Sequence, residues 1–433
     1  MAWSGPTGRG TIEPVRRYIG KGVKSMPFFR LIRPLLLVSP ALLVFLSCRA
    51  DAGPLPQTTV SPTAESSALA DTVEPTASPA SSPFAIENLQ LLFVRHPTDI
   101  YAPGGELWIS DGDGSNQRRL SPEGVDSAYA GMIRGKAGNV LVYFVKRDSE
   151  TDRSVWRVDA DGGVAQPVFS YESQPRYLSA AVSPDGEHIA FVESLGLSLL
   201  DVASGESRVL LASGDREACL NNDIGECHAH IAPQWSPDGQ LLLETHAFYE
   251  GGWVQVIDPF VDPPRTFIET GRGLPSGGRW SPGSDAICGM GLYDRKSGLY
   301  IVSAPAWQPD NRIPEYEDVP SNPEGHSVSS CTWVSGSEVA YVTFSNTQGA
   351  AEIGVLDVAA DDRQTAIRFD DLDPCCSFGI LTSAAGGRSV IAQFPTYVGG
   401  NTHWARPQLV DLDTGTSQPI LASDDVVVAA FTR

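Results

Sequence analysis

The stretch that decides the fold is Trp235-Ser-Pro-Asp-Gly239, because related phrases recur along the chain. The variants are Val182-Ser-Pro-Asp-Gly186, Trp280-Ser-Pro-Gly-Ser284 and Trp333-Val-Ser-Gly-Ser337. Each phrase precedes a short apolar run; Pro pre-sets a turn, and Asp-Gly tolerates the positive φ of a tight hairpin. A hairpin that recurs every 40 to 55 residues or so is the signature of a β-propeller, in which each repeat forms one small sheet.

The number of copies of a second recurring segment gives the number of blades. It is a short apolar strand that ends, in most copies, on an acidic turn. Its seven copies are Leu107–Asp111, Val155–Asp159, Leu199–Asp201, Val254–Asp258, Leu299–Ser303, Ile353–Asp357 and Gln408–Asp411. We therefore predict an all-β fold, a seven-bladed β-propeller, with six or eight blades as the alternative counts.

The two ends of the repeat region predict how the ring closes. The first blade begins with its second strand, Asn88–Val94, and the chain continues beyond the seventh blade through Asp425–Phe431. An open ring would leave unpaired strand edges. We expect the C-terminal strand to supply the missing inner strand of blade one.

The repeat resembles that of the TolB-like (WD40-like) β-propellers. The resemblance rests on the Ser-Pro-Asp-Gly phrase, the strand Ile189–Phe191 that follows it, and the turn Asp159–Gly163. It is clear in blades three and four, partial in blades one, two, five and six, and faint in blade seven. It implies the propeller fold, but TolB itself has six blades and an additional N-terminal domain, so TolB's role is not carried over.

The region before the repeats is predicted to direct export. Residues 1–47 form the signal region, with Met26 as the expected true start and an uncharged, mostly apolar segment at Leu35–Ser47. The segment Val44–Cys48 resembles a bacterial lipobox, which implies lipidation of Cys48; a plain signal peptide cleaved further downstream is the alternative. We expect the protein to be exported and anchored by Cys48 to the bacterial cell membrane, on its extracytoplasmic or periplasmic face.

The remainder divides into two parts. Residues 48–83 are rich in Ser, Thr, Pro and Ala, and the segment after Cys48 has no aromatic residue. Such a segment cannot bury enough apolar surface to become ordered, so we predict a disordered tether. Residues 84–433 are predicted to form a single TolB-like β-propeller.

The charge of the chain excludes one class of partner. The chain has 31 Lys and Arg against 52 Asp and Glu; residues 1–47 hold seven and one of these, so the rest carries 24 and 51, a net charge of −27. A body this acidic repels nucleic acid and anionic membrane surfaces. We expect no nucleic-acid partner, and contact with the membrane through the lipid anchor only.

The cysteines of an exported chain predict disulfides. Cys219 and Cys227 bracket a mostly polar loop and are expected to pair. For the other four the residues leave alternatives open: Cys288 pairs with Cys331 while Cys375 and Cys376 form a vicinal bridge, or one of the first two pairs with one of the doublet. The six cysteines assigned to disulfides are Cys219, Cys227, Cys288, Cys331, Cys375 and Cys376.

Three histidines are the candidate metal ligands. His228 and His230 precede the phrase of blade four, and His326 occupies the matching place before blade six. Residues i and i+2 of a strand face the same way, so these side chains are expected to converge at the mouth of the channel. Structural hydrogen bonding is the alternative role, and no resident cofactor is expected unless a divalent metal binds in the channel.

Two function classes follow. The first is a non-catalytic cell-envelope lipoprotein whose propeller binds a protein, a small molecule or a glycan at the channel face, with Asp215–His230 and Asp310–His326 as recognition loops. The second is a metal-dependent lyase or hydrolase acting on a glycan, since oligogalacturonate lyases are similar seven-bladed propellers with a channel metal held by histidines. No Gly-x-Ser-x-Gly nucleophile motif occurs, and we assign no catalytic residue.

Overall fold

The computed structural model is all-β, with thirty strands in the residues that it describes. Those residues are 90–95, 105–173, 179–193, 196–212, 228–248, 251–267, 276–293, 296–314, 326–345, 349–370, 372, 380–383, 388–398, 401–421 and 426–432. Within these ranges no helix is long and apolar enough to cross a membrane. The cysteines at 48, 219, 227, 375 and 376, the predicted signal region and the tether lie outside the described residues.

Seven four-stranded antiparallel sheets form the blades. Blade two consists of β4 (Ser127–Arg134), β5 (Val140–Arg147), β6 (Asp152–Asp159) and β7 (Gln166–Glu172). Blade three consists of β8 (Ala180–Val182), β9 (His188–Glu193), β10 (Gly196–Asp201) and β11 (Ser207–Leu211). Blade four consists of β12 (His228–Trp235), β13 (Leu242–Phe248), β14 (Gly251–Asp258) and β15 (Arg265–Thr266). Blade five consists of β16 (Ser276–Trp280), β17 (Ala286–Tyr293), β18 (Lys296–Ser303) and β19 (Gln308–Pro314). Blade six consists of β20 (His326–Trp333), β21 (Glu338–Ser345), β22 (Ala350–Asp357) and β23 (Asp362–Phe369). Blade seven consists of β24 (Ile380–Ser383), β25 (Ser389–Gln393), β28 (Gln408–Asp411) and β29 (Thr416–Pro419).

Blade one is shared between the two ends of the chain. Its strands β1 (Gln90–Arg95), β2 (Glu106–Asp111) and β3 (Arg118–Arg119) are completed by β30 (Val426–Thr432), which pairs antiparallel with β1. The predicted ring closure by the C-terminal strand is confirmed. Gln393 of blade seven fixes this strand from the other side: its amide donates to the Val426 carbonyl oxygen at 2.7 Å and accepts from the Val428 N–H at 2.8 Å.

The repeated phrase folds as a fixed hydrogen-bonded turn. In blade four the Ser236 hydroxyl accepts from the Leu241 N–H at 2.9 Å, and the Asp238 carboxylate accepts from the Gln240 N–H at 3.0 Å. Gly239 takes a φ of 72°, as the Asp-Gly pair predicts. Blade three repeats these contacts with Ser183, Asp185 and Gly186.

The aromatic residue of the phrase connects neighbouring blades. The indole N–H groups of Trp235, Trp280 and Trp333 donate to backbone carbonyls on the inner strand of the preceding blade, at Ala181, Gln234 and Arg279, over 3.0, 3.3 and 3.0 Å. Apolar clusters fill the spaces between adjacent blades, such as that of Ala190, Leu197, Leu199, Leu242 and Ile257 between blades three and four. One residue of the repeat therefore both ends a strand and joins two sheets.

The two ends of the ring differ. We call one the crossover end: there the outer strand of each blade ends and the inner strand of the next begins. The intervening stretches of sequence are 120–126, 173–179, 212–227, 267–275, 315–325, 370–379 and 420–425. The opposite, turn end carries the phrase hairpins and the acidic turns, because antiparallel order alternates the connections. Blade seven also has an additional hairpin, β26 (Pro395–Val398) and β27 (Asn401–Trp404), which the sequence did not predict; it joins β25 to β28 and so lies at the crossover end.

Candidate functional site

Two strands of blade four bring three metal-ligating side chains together. His230 on β12 lies directly opposite His246 on β13 in the antiparallel register, and Glu244 is two residues before His246. Paired residues and residues two apart share a face of a sheet. We call these residues the blade-four cluster: His230, Glu244 and His246.

The three side chains are close enough for one ion to bridge them. One ligand atom from each of the three lies within 4.8 Å of the others. His230 Nδ1 is 3.2 Å from Glu244 Oε2, and the two imidazole rings have centroids 4.7 Å apart. Two ligand atoms on a tetrahedral zinc ion, each bonded at 2.0–2.2 Å, are separated by roughly 3.4 Å, so small side-chain rotations would complete such a site.

The cluster lies inside the interface between blades three and four. Leu242 shares its face of β13 with Glu244, and it packs against Leu197 and Leu199 of blade three. Glu244 is 0% and His230 is 4% exposed, whereas His246 is half-buried. Burial raises the pKa of the Glu244 carboxyl, and the adjacent His230 acts in the opposite direction.

A fourth residue orients one ligand. Gln255 on β14 lies opposite Glu244, and its amide nitrogen is 3.2 Å from His246 Nδ1. A half-turn of the amide exchanges its oxygen and nitrogen, so either group can face the ring. With the amide oxygen turned to an Nδ1–H, Nε2 of His246 carries the lone pair that can bind a metal, which is how outer partners commonly fix metal-binding histidines.

Of the three predicted ligands, the structure describes the side chain of one. His230 belongs to the cluster. His228 begins β12, with its backbone opposite Phe248, and His326 begins β20 in blade six, but the side chains of both lie outside the described part of the chain. A further histidine, His403, is in the additional strand β27 of blade seven.

Sequence reasoning missed Glu244 and His246. The signal was present as an acidic residue and a histidine at i and i+2 in Glu244-Thr-His246 on the strand that follows the phrase. Finding it required the register that pairs residue 246 with residue 230, and this register depends on the irregularity between Ile231 and Gln234.

Two other groups of residues, the cysteines and the aspartates of the acidic turns, make contacts that stabilise the fold. Cys288 of β17 and Cys331 of β20 form a disulfide between blades five and six, with Cα atoms 6.3 Å apart, which is one of the pairings that the sequence left open.

The acidic turns are closed by their own aspartates: Asp113 accepts from the Ser115 N–H at 2.8 Å, and Asp159 accepts from the Asp161 N–H at 2.9 Å. Such hydrogen bonds from the backbone to an Asp side chain are typical of tight turns, which is the structure that the sequence predicted at the ends of these two strands.

No protein-family model matches the chain, and no curated protein matches its sequence. Among solved structures, an oligogalacturonate lyase in complex with manganese matches 77% of this chain and 85% of its own, at 14% identity and a TM-score of 0.51. Puromycin hydrolase matches with the same identity and TM-score over 77% of this chain, which spans about half of that protein, 52%. TolB from Acinetobacter baumannii matches 65% of this chain and 64% of its own, at 14% identity and a TM-score of 0.40. With propeller proteins among these matches and seven blades in its own ring, the chain has the seven-bladed β-propeller fold that its repeat predicts.

Proposed function

We propose that the protein is an exported, membrane-anchored binding platform that recognises a ligand at the crossover end of its propeller. The observation that carries this proposal is the difference between the two ends. At the crossover end each outer strand ends and the next inner strand begins, and the additional hairpin β26–β27 also lies there, whereas tight turns form the other end. The two longest stretches of sequence between an outer strand and the next inner strand are 212–227 and 315–325. Variable loops on a rigid scaffold are where binding sites concentrate.

The charge of the two longest connecting sequences favours a basic or neutral ligand. Residues 212–227 and 315–325 together contain eight acidic residues and one basic residue, Arg216. Acidic surface speeds association with basic partners and repels polyanions. A protein with a basic surface is therefore the preferred ligand class, with a neutral small molecule or glycan as the alternative.

The proposal is tested by reversing charge at one end at a time. The crossover variant carries Glu315→Lys, Glu317→Lys and Asp318→Lys; the matched control carries Asp161→Lys, Glu206→Lys and Asp413→Lys in exposed acidic turns. Partners captured by cross-linking on intact cells are identified, purified and titrated against each form. We expect binding to weaken at least ~10-fold in the crossover variant and to change little in the control. Equal binding by all three proteins would contradict a recognition surface at this end.

Anchoring is proposed to depend on Cys48. Two lipid chains on one residue give stable membrane association, whereas the acidic body has no affinity for an anionic surface. A Cys48→Ala variant should move from the membrane fraction to the soluble exported fraction and should lose the mass of the lipid. A wild-type chain that is soluble and unmodified would contradict the proposed anchor.

A metal-dependent enzyme acting on a glycan is the second candidate, and the blade-four cluster favours it. Two histidines and a carboxylate are a ligand set used by catalytic zinc sites, in which a fourth position remains for water or substrate. Turnover of oligosaccharides that is lost in Glu244→Gln would support this candidate. Metal-loaded protein that binds its ligand but shows no turnover would support the binding platform instead of the enzyme.

A further inference from the structure

We infer that the blade-four cluster is a binding site for one divalent transition-metal ion, held by His230, Glu244 and His246 on two adjacent strands of a single blade. This inference rests on the cluster alone. It holds whether the propeller is a binding platform or an enzyme. In either case an ion at this position would stabilise blade four or bind an atom of the ligand.

Burial is the first argument. Glu244 is fully buried between blades three and four, in the interface that also contains Ala190, Leu197 and Leu199 of blade three. A carboxylate removed from water needs a compensating charge, and the retained polar groups of a core are paired or bind metals. His230 Nδ1 already faces this carboxylate at 3.2 Å, and a divalent cation held by both groups would supply a stronger compensating charge than an imidazole does.

The local geometry is the second argument. His230 Nδ1 is buried and, among the described residues, makes no hydrogen bond of normal geometry, although Glu244 Oε2 is only 3.2 Å away. Two ligand atoms bound to one ion lie side by side in this manner, without a hydrogen bond between them. The separation also matches the roughly 3.4 Å expected between ligands of a tetrahedral zinc ion.

The ligand chemistry identifies the class of ion. Imidazole nitrogen suits zinc, copper, iron and nickel, whereas magnesium and calcium prefer sites built entirely of oxygen atoms. Two imidazoles and one carboxylate therefore select a first-row transition-metal ion, and zinc is the practical probe. The half-buried His246 is the most exposed member of the cluster, so the ion would enter past this side chain.

The arrangement assigns a positioning role to Gln255. Its amide lies 3.2 Å from His246 Nδ1 and is on β14, outside the ligand set. Loss of an outer partner commonly weakens metal affinity 10–100-fold. Gln255→Leu should therefore retain one zinc ion per chain but bind it with that loss of affinity, whereas unchanged affinity would exclude the positioning role.

The test is a zinc titration of the purified full chain after chelation, with bound metal counted by elemental analysis and folding checked by circular dichroism. The variants are Glu244→Gln, which keeps the side-chain shape, and His246→Ala, at the less buried position. His188→Gln is the matched control: His188 lies between the same two blades at the turn end, with its ring 5.1 Å from that of Phe260.

We expect one zinc ion per chain in the wild type and in His188→Gln, a rise in melting temperature on zinc addition, and at least ~100-fold weaker binding in both cluster variants. Two results would overturn the inference: folded wild-type protein without stoichiometric zinc, or zinc binding retained in both cluster variants. If Glu244→Gln does not fold, His246→Ala decides the matter.

Discussion

At the scale of single residues, the ring depends on a few buried polar side chains that satisfy backbone groups. Gln393 is the clearest case, because its amide bonds both the carbonyl oxygen of Val426 and the N–H of Val428 on the closing strand. No hydrophobic pattern in the sequence marks this residue. Its role follows from the closed topology, in which the end of β25 meets the start of β30.

Replacing Gln393 by Ala should therefore destabilise the protein by about 2–4 kcal/mol, since two buried backbone groups would lose their partner. The free energy of unfolding measured in urea checks this value. The exposed Gln364→Ala on β23 is the control and should change it by less than about 0.5 kcal/mol. Equal effects of the two substitutions would show that the Gln393 contacts are unimportant.

Gly114 is restricted by its conformation and by its surroundings. It has a φ of 80°, and a Cβ there would lie 1.8 Å from the backbone oxygen of Ile420 in blade seven. Gly205 occupies the corresponding acidic turn of blade three with a φ of 73° and open space around it. The two glycines therefore separate backbone strain from steric contact.

Gly205→Ala should cost about 1 kcal/mol through the positive φ alone. Gly114→Ala should cost about 1–3 kcal/mol more, because the contact between blades one and seven must open. Thermal unfolding of both variants under the same conditions gives the comparison. A Gly114 variant as stable as the Gly205 variant would contradict the close approach of these blades.

At the scale of elements, the sequence predicted what is local. The strands and turns were found because Ser, Pro, Asp and Gly act on the backbone within five residues of one another, as in Ser236–Leu241. The partners of Glu244 and His246, the Gln393 contacts and the hairpin β26–β27 were missed. The first two depend on contacts between strands that are set by register, and the hairpin falls outside the repeat period.

The tryptophan of the phrase should stabilise the contact between blades. Trp235→Phe keeps most of the packing but leaves the Ala181 carbonyl without its indole donor, so we expect a loss of about 1–2 kcal/mol in unfolding free energy. In Trp156→Phe the lost bond is to the Ser154 hydroxyl of the same strand, and the loss should be less than half as large. The reverse order would exclude the tryptophan bond as a link between blades.

The acidic turns predict a loss of stability in acid. The Ser115 hydroxyl and N–H hold the pKa of Asp113 below its usual value, and the Asn139 amide and the Asp161 N–H do so for Asp159. Carboxyls with a lowered folded pKa stabilise the fold above their unfolded pKa of about 3.9, and this contribution disappears as the pH falls through the folded value.

The melting temperature should therefore decline below about pH 4. This decline should be shallower in Asp159→Asn, which has no carboxyl to titrate there. Melting curves between pH 7 and pH 2 test the sign. A steeper acid loss in the variant would contradict it.

At the scale of the whole molecule, closure by β30 makes the first and last strands interdependent. The strand pairs with β1 along Gln90–Arg95 and packs Val426 and Val428 against Phe93, Ile391 and Leu421. Deletion of residues 426–433 should remove this core and open the ring. We expect a fall in melting temperature of more than ~10 °C or failure to fold, judged against deletion of Arg433 alone.

The most direct single measurement is anomalous diffraction at the zinc edge from crystals of the zinc-loaded protein, because it tests the ring and the site together. We expect a seven-bladed ring closed by β30 and one strong peak between β12 and β13, within about 2.0–2.2 Å of ligand atoms from His230, Glu244 and His246. A ring of another blade number, a peak held by other residues, or no peak in blade four would contradict it.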